Sequence, residues 1–135
     1  MNKTTPLILL FVFMVMVGCG AKTKTELVEI AKLQIEFTTE KNYQSVYRQI
    51  AEKFVECGGT IAQYMQRNVY SDLGIGEFYL HGADAAGYVF WVEVKRIGEN
   101  STSVKAYSKI STGAYPQLMD MVRMGIYGQD GCPSK

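Results

Sequence analysis

The spacing of apolar residues changes period several times along this chain, and each change marks an element. Leu33, Ile35 and Phe37 alternate with Gln34, Glu36 and Thr38, so residues 33–38 read as a strand with one buried face. The period then lengthens: Tyr43, Val46, Tyr47, Ile50, Phe54 and Cys57 share one face of a helix over Tyr43–Cys57. Asn42 stands where it can cap that helix, and Gly58-Gly59 stops it. Cys57 thus lies in the last turn, on the buried face. Four strands follow, at 63–70, 76–81, 88–97 and 102–110. Their links are Ser71-Asp72-Leu73-Gly74, a Gly/Ala/Asp loop at 82–87 and a tight turn at 98–101, the punctuation of an antiparallel meander. A last helix begins near Tyr115 with Pro116 in its first turn, and packs through Leu118, Met121, Val122, Gly125 and Ile126. The order β-α-β-β-β-β-α predicts a single α+β domain, an antiparallel sheet with two helices packed on one face.

The turns also predict a register. A hairpin symmetric about Glu99 sets Val94 against Val104, Val92 against Ala106 and Trp91 against Tyr107. Centring the preceding loop near residue 85 brings Tyr79 opposite Trp91. Phe78, Leu80, Phe90, Val92, Val94, Val104 and Ala106 then form the core face. The opposite face carries the row Tyr79–Trp91–Tyr107, flanked by His81, Val89, Glu93, Lys95, Lys105 and Lys109. Cross-strand aromatic pairing alone accounts for such a row; the functional alternative is a contact surface for a protein partner, a second copy or the lipid interface.

Ahead of these elements stands a different kind of segment. Met-Asn-Lys is followed by an apolar run from Leu7 to Val17, too short to span a bilayer, and by Gly18-Cys19-Gly20. Met16-Val17-Gly18-Cys19 resembles the lipobox of bacterial lipoproteins, with Met16 where leucine is usual. The resemblance implies that residues 1–18 are a signal peptide, that Cys19 is acylated, and that the protein is held at the membrane by its lipid. It also implies sorting: Gly20, rather than aspartate, directs the protein to the periplasmic face of the outer membrane in a host with two membranes, or to the cell-surface membrane in a host with one. Residues 19–26 then form the lipidated cysteine and a polar tether, and 27–135 the domain. Six tether residues reach about 20 Å.

Assigning Cys19 to lipid changes the cysteine count. Cys57 and Cys132 remain, an even pair in an exported chain, and the expectation is a disulfide, with two free buried thiols as the alternative. The chain also resembles a group of small bacterial lipoproteins without assigned activity. The resemblance lies in Val46-Tyr47-Arg48, Cys57, Tyr70-Ser71-Asp72-Leu73-Gly74, and a terminal helix followed by Gly128 and Cys132. The element order is similar to helix-grip folds, among them the C-terminal domains of the lipoprotein subunit of the barrel-assembly machine.

Charge excludes some functions. Of 14 Lys and Arg against 13 Asp and Glu, the leader removes Lys3, so the mature chain is neutral and shows no basic stripe for nucleic acid. His81 is the only histidine, and with two isolated cysteines it lacks the paired spacing of a metal site. It also has no triad partner suggested by spacing. Gly74-Ile-Gly76 reads as turn chemistry, and Asp72, Asp84 and Glu93 are scattered. Arg48 is a structural anchor or, alternatively, a ligand contact. These readings lead to a non-enzymatic, membrane-anchored envelope protein without cofactor, with a structural or protein-interaction role. The alternative is a carrier of a small apolar ligand in a cavity lined by Met119, Met121 and Met124.

Overall fold

The computed structural model describes residues 21–83 and 87–134. Cys19, the expected signal peptide over residues 1–18 and Asp84 lie outside the described residues. The chain runs through α1 (Lys24–Ile30), β1 (Leu33–Thr39), α2 (Tyr43–Cys57), α3 (Gly59–Ala62), β2 (Gln66–Tyr70), β3 (Ile75–His81), β4 (Tyr88–Gly98), β5 (Ser101–Ser108) and α4 (Tyr115–Tyr127). All five strands join one antiparallel sheet in the order β1-β5-β4-β3-β2. Helices α2 and α4 pack together against it, which makes the molecule a single α+β domain. The register of the aromatic row is the one the turns predict, with Tyr79, Trp91 and Tyr107 partners across β3, β4 and β5. Beside the register shift at Leu80/His81, however, Val89 is buried in the main core and not on the aromatic face.

Local chemistry explains the helix ends. The Asn42 side chain accepts a hydrogen bond from the Gln44 N–H at 2.9 Å, satisfying one of the orphan donors of the first turn of α2. Gly128 takes the left-handed conformation beyond α4 and its N–H closes back on the Gly125 and Met124 carbonyls. Between the helices and the sheet lie Val46, Ile50, Phe54, Leu118, Val122, Phe78, Phe90, Val92 and Val104, all fully buried. Gly125 sits where α4 meets α2: a Cβ there would come within 2.8 Å of the Ile50 Cα and 3.0 Å of its backbone nitrogen. Backbone atoms cannot swing aside, so only glycine permits this approach.

Two expectations are corrected. Residues 63–65 are not strand, because α3 and a following turn carry the chain from α2 to β2; the tight bonds Gln63 N–H to Thr60 O and Met65 N–H to Ala62 O occupy that stretch. More consequentially, residues 19–26 are not all tether. Ala21 already pairs with Tyr88 as an isolated bridge, and Thr23 and Glu26 form a reciprocal capping box that starts α1. Helix α1 lies on the sheet face opposite α2 and α4.

Candidate functional site

The aromatic row is where the structure departs furthest from a surface reading. Alternation along β3, β4 and β5 does turn Tyr79, Trp91 and Tyr107 away from α2 and α4. Yet α1 crosses over them. Leu27 is fully buried against Trp91 and Tyr107, which stack with ring centroids 5.8 Å apart. Trp91 is 8% exposed and Tyr107 3%, so the row is not an open contact surface. It is a second, smaller core. Tyr79 alone remains half-buried, its hydroxyl accepting from Asn68 Nδ2 at 3.3 Å.

A charged row runs beside it. Asn68, Glu77, Glu93, Lys105 and Glu36 occupy successive register positions from β2 to β1. Glu77 and Glu93 stand opposite each other, a like-charge pairing that costs stability in a sheet. Lys24 of α1 offsets it: its Nζ reaches Glu77 Oε1 at 2.5 Å and lies 5.5 Å from the Trp91 ring centre. Trp91 Nε1 donates to the same carboxylate oxygen at 3.2 Å. Burial alone would lower the Lys24 pKa, but the hydrogen bond and charge of Glu77 outweigh it and leave the ammonium above its ordinary value. At the other end of the face, Tyr107 donates to Glu36 Oε1 at 2.5 Å. Burial, reinforced by that carboxylate, pushes the Tyr107 phenol up to about 12.

Helix α1 therefore docks through one apolar side chain and one partly buried ion pair. Burying a leucine stabilises by about 1.5–3 kcal/mol, while the ion pair chiefly offsets the cost of burying the Glu77 carboxylate. Leu27→Asp should undock α1 and leave the α2–α4 core standing. Trp91 is the only tryptophan, so its emission should shift to the red and its quenching by acrylamide should rise while far-ultraviolet dichroism stays nearly native. An unchanged emission spectrum would show that α1 does not shield the row.

Elsewhere the candidate residues separate. Cys57 and Cys132 are joined in a disulfide with Cα atoms 5.4 Å apart. Lys53, almost fully buried, holds the same tail through the Gly131 carbonyl at 3.0 Å and pairs with Glu56 at 3.1 Å. Glu56, Cys57 and Cys132 do cluster closely enough to suggest metal ligands. With the sulfurs bonded to each other, no thiolate is available there. His81 is exposed and meets the rings of Tyr88 and Tyr79 at 4.8 and 5.4 Å, a packing arrangement of three rings. Asp72 lies exposed in its turn. Met119 and Met121 are buried among core residues, and no described groove is lined by them or by Met124.

Arg48 is corrected from a structural anchor. It is exposed, makes no ion pair among the described residues, and lines two adjoining grooves between α2 and the sheet edge β2. The first, about 410 Å³, is walled by Tyr43, Tyr47, Ala51 and Val69; the second, about 320 Å³, by Ala51, Val55, Arg67 and the carboxylates Glu52 and Glu56. Arg67 and Val69 point into them because they pair with the core-facing positions Phe78 and Gly76. A third groove of about 570 Å³ opens at the other side of the sheet end, between Ile61, Tyr64, Leu80, His81 and Tyr115. The edge groove was not legible beforehand, since it joins residues of a helix and a strand; the Thr23-x-x-Glu26 capping box, by contrast, is a readable signal for α1. No protein-family model matches the chain, and no curated protein matches its sequence.

Proposed function

We propose that this chain is a lipid-anchored protein of the bacterial envelope, without enzymatic activity, whose domain serves a structural or protein-interaction role. The observation that carries the reading is the leader itself: a charged start, a short apolar run and Gly18-Cys19, followed two residues later by Ala21 at the edge of the folded domain. A disulfide between Cys57 and Cys132 agrees with an exported, oxidising location. Gly20 after the cysteine favours the periplasmic face of an outer membrane where the host has one. The partner half of the reading draws on the β2 edge. Val69 and Tyr70 are exposed, the outer side of β2 pairs with no strand of the sheet, and Arg48 and Arg67 stand beside it. Such an edge suits an extended segment of a partner, which adds a strand beside a groove of mixed charge.

Labelling cells with a palmitate analogue tests the anchor. The wild-type protein should incorporate label and sediment with membranes; Cys19→Ser should do neither. A soluble, unlabelled wild-type protein removes the reading. For the partner, Arg67→Glu should abolish the crosslinks that the wild-type domain forms in its own envelope while leaving its thermal midpoint unchanged. Retained crosslinks would exclude the β2 edge.

A further inference from the structure

We infer that the end of the domain bearing Tyr64, His81, Tyr88 and Tyr115 rests on the lipid surface, with the turns at 71–74 and 98–101 pointing away from it. This inference rests on the lipidation of Cys19 and adds to it an orientation.

Chain length makes the first argument. Ala21 is built into the domain: it is buried, and its carbonyl accepts the Tyr88 N–H at 2.8 Å. The fit is close, since any side chain at Gly87, which has φ +125°, would collide with that carbonyl. Cys19 precedes Ala21 by two residues, so its Cα lies within about 7 Å of the Ala21 Cα however the link is drawn. The headgroup layer of one leaflet is about 5–8 Å deep. A six-residue tether would let the domain stand off and tumble; a two-residue link does not. With acyl chains on Cys19, the Ala21 end of the sheet is held at headgroup level.

The chemistry of that end makes the second argument. Strand β3 ends at His81 and β4 begins at Tyr88, beside Ala21. Tyr64, 70% exposed, precedes β2 at the same end and shares a groove with His81 and with Tyr115 at the start of α4. Tyrosine, apolar in its ring and polar at its tip, is enriched at membrane–water boundaries. Lys22 and Lys32, both exposed, flank α1 at this end; the Lys32 backbone bonds to Ser108, whose strand partner is Phe90. Their ammonium groups suit anionic headgroups. Link length selects this end, and the exposed Tyr64 ring suits the boundary there.

Site-directed spin labels on the full lipidated protein in phosphatidylcholine–phosphatidylglycerol vesicles test the orientation. Tyr64→Cys and Leu73→Cys each introduce one thiol at an exposed position, and the native pair is joined. A label at 64 should be reached severalfold better by oxygen than by a water-soluble nickel chelate, while a label at 73 should favour the chelate. Mass spectrometry of the same sample reports the lipid on Cys19. Lipid present with both labels equally water-accessible, or with 73 the deeper, overturns the orientation and leaves the anchor intact. Absence of lipid on Cys19 overturns both.

Discussion

Reducing the Cys57–Cys132 bridge should lower the free energy of unfolding by up to ~4.5 kcal/mol. The bond closes a loop whose ends are 75 residues apart. In the chain-entropy model a loop of this size restricts the unfolded ensemble strongly, and opening it restores that freedom. The folded state should change little, because Lys53 still holds the tail through the Gly131 carbonyl and Gly128 still terminates α4. Urea unfolding with and without reductant measures the effect as a fall in midpoint with similar spectra before the transition. Cys57→Ser and Cys132→Ser should each reproduce it, and the double variant should be no worse than either. An unchanged midpoint would show that the bridge does not restrict the unfolded chain. A further loss in the double variant would show that the sulfurs contribute to packing separately.

Phe78→Ala should cost about 3–5 kcal/mol, close to the whole stability of a small domain. Phe78 is fully buried on β3, the strand next to edge strand β2. Its ring stacks on Tyr47 at 4.5 Å and meets Phe54 edge-on at 5.2 Å, so its removal unseats α2 from β3 at two points. The cavity cannot collapse easily, because β3 is held on both sides by β2 and β4. Phe37→Ala is the internal comparison. Phe37 is half-buried on edge strand β1, packs at the margin of the core and meets the exposed Tyr127 ring at 5.3 Å, so its loss should be felt less. Thermal unfolding of the two variants ranks them; equal losses would mean that the core is not organised around β3.

These two sites differ in how they could be read. Phe78 belongs to an alternating run between turn residues, and its place in the core follows from period and turn alone. The bridge between Cys57 and Cys132 followed from counting cysteines in an exported chain, although the buried lysine that holds the same tail did not. Helix α1 escaped the periodic reading because it is only two turns long and buries just Leu27, leaving no stripe for a 3.6-residue period to reveal. Its capping box was the one local signal. The groove beside β2 had none, because Arg48 and Arg67 are distant in sequence and meet only when α2 lies across the sheet edge.

Periodicity and turn chemistry were sufficient for the α+β class, the span of α2, the hairpin register and the identity of the main core, since each depends on residues near one another in sequence. The leader motif alone carries the proposal that Cys19 is the anchoring position. Burial of the aromatic row was decided by tertiary structure alone. Alternation says which side chains share a face, but not what covers that face, and here a two-turn helix converts Trp91 and Tyr107 from surface to core. The same helix, with Ala21 bridged to Tyr88, shortens the link to Cys19, so that an apparent tether becomes part of the fold.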